Sequence, residues 1–248
     1  MSTHRLVLVV DPALQLFLPA GRRRERVEVA WDGTSSLGHV VESAGIPLTE
    51  VGLLEVSQAP ASGTQRGVRG VVPPEQPRSE DEVHVGPVPR PQRPEDWPGG
   101  FVLDIHLGAL ARRMRLLGLD TAWPEEAGDP ALVERAGAER RVLLTQDRGL
   151  LKRRALWAGA YVRGSDPDDQ LDDVLDRFRP DLAPWTRCTA CNGVLVPATK
   201  AEVAHLLEPG TLGSQEEFAR CPACERVYWP GAHTARLQRV VDRARVRT

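Results

Sequence analysis

A chain of 248 residues with 41% apolar side chains and a net charge of −2 is globular in composition and long enough for two modest domains. No apolar run approaches the ~20 residues a membrane span needs, and the chain starts without a signal peptide, so a soluble, cytoplasmic protein is expected. The near-neutral total conceals an asymmetry: residues 1–97 carry −3, residues 98–185 carry −2, and residues 186–248 carry +3. The positive end comes from Arg236, Arg239, Arg243, Arg245 and Arg247, a tail that suits phosphates or a solvated helix end.

From the N-terminus, Leu6–Val10 reads as a buried strand, and Val27, Val29 and Trp31 alternate with small or polar residues as in a half-exposed one. Asp32-Gly33 turns the chain, and Thr34 or Ser35 is placed to cap a helix. That helix carries Leu37, Val40, Val41 and Ala44 on one face and stops at Gly45. Val51–Val56 follows as another strand. Strand–strand–helix–strand in so short a stretch predicts a β-grasp, the ubiquitin-like architecture. From Gln58 to Gly100 the chain is rich in Pro, Gly and Arg, with one strand candidate at Val83–Val85. This stretch reads as a loose final strand and a linker. Gly99-Gly100 is followed directly by Phe101, so it lacks the terminal carboxylate that sulfur-carrier chemistry needs.

The pattern then changes. Phe101–Ile105 is an apolar run carrying Asp104, and Leu110, Ala111, Met114 and Leu117 form a helical face closed by Gly118. Asp129-Pro130 reads as an N-cap with proline at the first helical position. Val142–Thr145 and Ala160–Val162 are further strands, with helices at Leu150–Ala155 and Leu171–Phe178. Strands alternating with helices predict a parallel α/β sheet. The expected division is 1–97, 98–183 and 184–248.

The last of these holds all four cysteines, as Cys188-Thr-Ala-Cys191 and Cys221-Pro-Ala-Cys224. Two thiolates three positions apart on a tight turn reach one ion, and two such turns complete the tetrahedral site that zinc favours. The 29 residues between the pairs form an insertion. The competing reading, two disulfides or a redox pair, fits a reducing cytosol less well.

Ligands of an open α/β sheet bind beyond the carboxyl ends of its strands. Asp104, Asp147 and Asp166, 43 and 19 residues apart, each fall near such an end. Clustered carboxylates want a cation, and hard oxygen ligands select Mg²⁺ or Mn²⁺. Such an ion suits metal-assisted phosphodiester hydrolysis. Each acid also has a plainer role: Asp147 as cap of the helix that follows, Asp129 as N-cap, Asp166 as one of a crowd of loop acids. Asp104, inside an apolar run, is the hardest to explain without a partner. Arg112, Arg113 and Arg115 after the first strand, and Arg148 and Lys152 beside Asp147, are candidate RNA-backbone contacts. Exposed helix faces are also routinely Arg-rich.

Phe101–Asp104 with Leu107–Thr121, Val142–Arg148, Gln170-Leu171, and the two Cys-x-x-Cys knuckles leading to Tyr228–His233 resemble the Mut7-C ribonuclease family in the same order. The N-terminal region is similar to the ubiquitin-like domain fused ahead of that module. The resemblance implies a PIN-like fold followed by a zinc ribbon, with cleavage of single-stranded RNA by one or two Mg²⁺ or Mn²⁺ ions. By position, Asp104 would be the first-strand acid, Asp147 the acid of the Thr-x-Asp motif, and Asp166 the last acid of the cluster. The helix acid of PIN domains falls on Asp129, Glu134 or Asp120. Asp104 and Asp147 are thus expected to hold the catalytic metal, with Asp129 and Asp166 in support, and Cys188, Cys191, Cys221 and Cys224 to hold structural zinc. A rival function is a non-catalytic RNA-binding adaptor using the ribbon and the arginines. The ubiquitin-like domain is also a candidate docking module for a protein partner.

Overall fold

In a computed structural model, residues 4–57, 68–70, 81–124, 126–231 and 234–247 are described. Most of the Pro/Gly-rich stretch 58–80 and the motif residues Ala232 and His233 lie outside them. The chain forms two compact units. One is Met1–Pro89 with Asp147–Arg154, the other Arg90–Gln146 with Ala155–Thr248.

The first unit is built on a five-stranded sheet. Strands β1 (His4–Val10) and β2 (Arg26–Trp31) form an antiparallel pair. After helix α1 (Leu37–Ser43) come β3 (Val51–Ser57), β4 (Val68–Gly70) and β5 (Glu82–Pro87). The order β2-β1-β5-β3-β4, with β1 and β5 parallel, is the expected β-grasp. The supposed loose final strand is in fact central: Val83 and Val85 are buried between β1 and β3. The run Leu6–Val10 alternates rather than being buried throughout, with Leu6, Leu8 and Val10 in the core and Val7 and Val9 half-exposed. One face of β1 is packed, which gives the period-two signature of a half-buried strand.

Ser36, not Thr34 or Ser35, caps α1, its hydroxyl accepting from the His39 amide at 3.3 Å. The two expected caps are held by Asp32, whose Oδ1 accepts from the amides of Thr34 and Ser35 at 2.8 and 2.7 Å. Gly45 ends the helix at φ +116°, where a Cβ would stand 2.7 Å from the Phe17 carbonyl oxygen, so glycine is required there.

The second unit opens with residues 90–100 packed on its core rather than hanging as a linker: the Trp97 ring lies 5.2 Å from Phe101 and 5.4 Å from Phe178. Then follow β6 (Phe101–Leu103), α2 (Gly108–Leu116), β7 (Thr121–Ala122), α3 (Asp129–Ala138) and β8 (Val142–Thr145). Helix α4 (Arg148–Leu151) folds with the first unit. The chain returns with β9 (Gly159–Tyr161) and α5 (Pro167–Phe178). The sheet order is β7-β6-β8-β9, all parallel. Its core holds Phe101, Leu103, Leu110, Met114, Val142, Leu144, Leu175 and Phe178, and each such fully buried side chain contributes roughly 1.5–3 kcal/mol. Gly118 closes α2 at φ +82°, and a Cβ there would collide with the Ala183 carbonyl oxygen at 2.0 Å.

A second, antiparallel sheet of β10 (Val196–Ala198), β11 (Phe218–Arg220) and β12 (Val227–Tyr228) completes the unit. Helices α6 (Lys200–Val203) and α7 (Pro209–Ser214) fill the insertion between the cysteine pairs. Helix α8 (Thr234–Arg245) lays Val241 and Ala244 on the parallel-sheet core.

Candidate functional site

Parallel pairing of β6 with β8 sets Leu103 opposite Leu144, so β6 ends one residue before β8 at the same edge of the sheet. One residue further, the Asp104 amide donates to the Leu144 carbonyl at 3.0 Å, and the Thr145 hydroxyl donates to Asp104 Oδ2 at 2.7 Å. Thr145 is fully buried and Asp104 half-buried. A hydroxyl fixed at a strand end thus holds the carboxylate in one orientation at the carboxyl edge of the sheet. Gln146 continues that edge, its side-chain amide donating to the carbonyls of Val162 and Gly164 at 3.0 and 2.8 Å.

The other acids are placed differently. Asp147 caps α4, its Oδ1 accepting from the amides of Gly149 at 2.6 Å and Leu150 at 3.4 Å. Asp166 caps α5 through the amides of Asp168 and Asp169 at 2.8 and 3.2 Å. Hydrogen bonds from the Asp169 side chain and those amides hold its carboxyl below the ordinary value. Asp129 is not the N-cap of α3; Gly128 is, and Asp129 occupies the first turn, where a negative charge faces the positive helix end. Asp120 is joined to Arg141 at 2.7 Å and Asn192 at 2.7 Å. Among the described residues, the four cysteines are the only group of three or more His, Cys, Asp or Glu side chains whose ligand atoms converge on one point.

That convergence is close: the four sulfurs lie within 4.8 Å of one another. Cys188 and Cys224 are 3.5 Å apart and Cys191 and Cys221 3.4 Å, all unbridged. The two knuckles are built alike. In each, the residue after the second cysteine, Asn192 or Glu225, takes a left-handed backbone, φ 74° and 62°, and its amide donates to the carbonyl of the first cysteine. Thiols packed this tightly share protons unevenly. Burial opposes ionisation of Cys188, but the Tyr228 hydroxyl at 3.0 Å and the amides of Cys191 and Ala190 outweigh it, bringing the thiol down to about 6. Burial and the neighbouring sulfurs push Cys191 up to about 12. The four sulfurs could hold a divalent metal such as zinc, whose binding would displace the remaining thiol protons.

The first knuckle is bolted to the parallel sheet. Arg115 of α2 is 2% exposed and donates to the Thr121 carbonyl at 2.9 Å, the Thr189 carbonyl at 3.2 Å and the Ala190 carbonyl at 2.7 Å. Burial lowers its pKa against the opposing pull of Cys191 and Cys188. Asn192 completes the joint, accepting from the Thr121 amide at 2.9 Å while donating to Asp120.

Of the other arginines read as RNA contacts, Arg112 is exposed over the Trp123 ring, 5.8 Å from its centroid, and Arg113 pairs with Asp168 at 2.6 Å. Arg148 donates to the carbonyls of Phe17 and Leu16 at 3.0 and 2.8 Å, and Lys152 to the Glu42 carbonyl at 2.7 Å. In the C-terminal tail, Arg243 and Arg247 both pair with Asp172. The residues that sequence reasoning missed are Thr145 as the orienter of Asp104, and Arg115 and Asn192 as struts.

A parallel α/β sheet with an oriented acid at a strand end, closed by a four-cysteine knuckle pair, defines the class: an α/β domain with a four-cysteine ribbon that could hold a metal ion. Within it, the chain matches the Mut7-C RNAse domain over residues 99–241 and, ahead of that, the Mut7-C ubiquitin domain over residues 5–91. It belongs to the Mut7-C RNAse domain family. No curated protein and no solved structure matches it. Among the described residues, no helix is long and apolar enough to cross a membrane.

Proposed function

We propose that the protein is a divalent-metal-dependent ribonuclease that hydrolyses phosphodiester bonds of single-stranded RNA. The observation that supports this most is Asp104, a half-buried carboxylate oriented by the Thr145 hydroxyl at the carboxyl edge of a parallel sheet, in a chain of the Mut7-C RNAse family. Asp104 and Asp147 are the residues that would hold Mg²⁺ or Mn²⁺, with Asp129 and Asp166 in support. Such an ion supplies an activated water and neutralises charge building on the phosphoryl oxygens. Mg²⁺ is commonly held by only one or two carboxylates plus substrate phosphates, so a sparse acid set is compatible with it. Thr145 keeps the Asp104 carboxylate aligned, and the exposed Arg112 offers a forked donor to the RNA backbone. The four cysteines would hold one structural Zn²⁺.

A non-catalytic RNA-binding adaptor is the second reading, favoured by the observation that the cysteines alone form a converged ligand group among the described residues. The Asp147→Asn variant separates the two. Loss of cleavage of a labelled single-stranded RNA with unchanged RNA affinity supports the enzyme. Tight binding by the wild-type protein with no cutting in Mg²⁺ or Mn²⁺ supports the adaptor.

A further inference from the structure

Residues 147–154 pose a puzzle of their own. They follow β8 directly, yet they fold with the ubiquitin-like unit. Helix α4 is four residues long, far too short to stand unaided, so its conformation must be imposed by what it packs on. Leu150 and Leu151 are buried, at 0% and 2% exposure.

Two cations fix the segment, and both choose the same kind of partner. The chain at Pro12–Phe17 forms a 3-10 turn, whose C-terminal end carries partial negative charge on its carbonyls. Arg148 spreads its fork over two of them: Nη1 donates to Phe17 O at 3.0 Å and Nη2 to Leu16 O at 2.8 Å. Its guanidinium carbon lies 5.4 Å from the Phe17 ring centroid, over a side chain that is 1% exposed. Lys152 reaches the last turn of α1, its ammonium donating to Glu42 O at 2.7 Å, a carbonyl that also accepts from the Gly45 amide at 3.0 Å. A positive charge at a helix C-terminus is electrostatically favoured, and here two are held in partly buried geometry.

We propose that the ubiquitin-like fold is an intramolecular clamp for residues 147–154, with Arg148 and Lys152 as its docking residues rather than contacts to RNA. The ligand of this fold is thus a basic segment of its own chain, recognised through the carbonyl ends of a 3-10 turn and of α1. Where Asp147 is taken as a metal-holding acid, the clamp is also what sets its backbone, a consequence that rests on the function proposed above. Arg148 and Lys152 then act as positioning residues.

Hydrogen–deuterium exchange of the full chain tests the clamp without reference to activity. In the Arg148→Ala/Lys152→Ala double variant, the amides of residues 149–152 should exchange about tenfold to a hundredfold faster, as expected for loss of charge-assisted bonds from a locally opening segment. Phe101–Leu103 should exchange as in the wild type. Arg148→Lys, which keeps the charge and loses the fork, should fall between, and it serves should the double variant misfold. Unchanged exchange at 149–152 in both variants, or no protection there in the wild type, would overturn the proposal. A second arm measures RNA. Slower single-turnover cleavage at saturating RNA with unchanged affinity fits a positioning role; a matching loss of RNA affinity with unchanged exchange would make these residues RNA contacts and overturn the clamp. Should the wild type not cleave at all, the nuclease reading fails while the exchange arm still decides the clamp.

Discussion

Arg115→Met removes a strut that joins the parallel-sheet core to the four-cysteine ribbon. The wild-type guanidinium makes three hydrogen bonds, to the carbonyls of Thr121, Thr189 and Ala190. Hydrogen bonds involving a charged group contribute about 1.5–3 kcal/mol each, net, to stability. Methionine keeps much of the stem packing and removes the cost of burying a charge, which offsets a large part of that sum. A net loss of roughly 2–4 kcal/mol follows, the range of a broken buried network. In a unit of this size that is about 5–15 °C in Tm. A second effect is specific to the site. Four thiolates around a divalent ion leave excess negative charge, and Arg115 is the buried cation donating to the backbone between Cys188 and Cys191. The variant should therefore release zinc to a chelator faster than the wild type, measured by absorbance of a metallochromic competitor at a temperature where both are folded. Equal Tm and equal release rates would refute the strut.

Gly118→Ala places a Cβ against the Ala183 carbonyl at a left-handed backbone position, so a loss of about 2 kcal/mol or more is expected in denaturant unfolding. Burial would raise the Asp120 pKa, but hydrogen bonds from Arg141 and Asn192 hold it below its ordinary value. Its stabilising contribution is therefore complete above the unfolded carboxyl value near ~3.9 and is lost as pH falls through the lower folded value. The stability advantage of wild type over Asp120→Asn should be flat at neutral pH and shrink in acid; an advantage that grows in acid would contradict the assignment. Metal analysis of protein purified without added zinc should find about one Zn per chain, and Cys221→Ser should lose it and loosen locally. Full occupancy in that variant would sink the four-cysteine assignment.

What the sequence revealed was local. The period of Leu110, Ala111, Met114 and Leu117 located α2, Gly118 marked its end, and the two Cys-x-x-Cys pairs located a cluster whose sulfurs do converge. The β-grasp was legible from four elements, but the central place of β5 was not, because sheet order depends on pairing across a long intervening stretch. The two-residue β7 is too short to show any period. Arg115 looked like one more basic residue on a helix; that it is buried follows from partners 74 and 75 positions away. Arg148 and Lys152 likewise meet carbonyls more than a hundred residues upstream, which no local pattern encodes. At the acidic edge, Asp104 stood out as an acid in an apolar run, while the Thr145 hydroxyl that orients it comes from a neighbouring strand.

The central claim is that Asp104 serves metal-dependent RNA hydrolysis. The most direct measurement is cleavage of a labelled single-stranded RNA by wild-type and Asp104→Asn protein, in Mn²⁺, in Mg²⁺ and in EDTA, with RNA affinity measured alongside. Cutting by the wild type that needs the metal and disappears in the variant, at unchanged affinity, is the predicted result. Equal cutting by the two proteins, or none by the wild type with either metal, would contradict it.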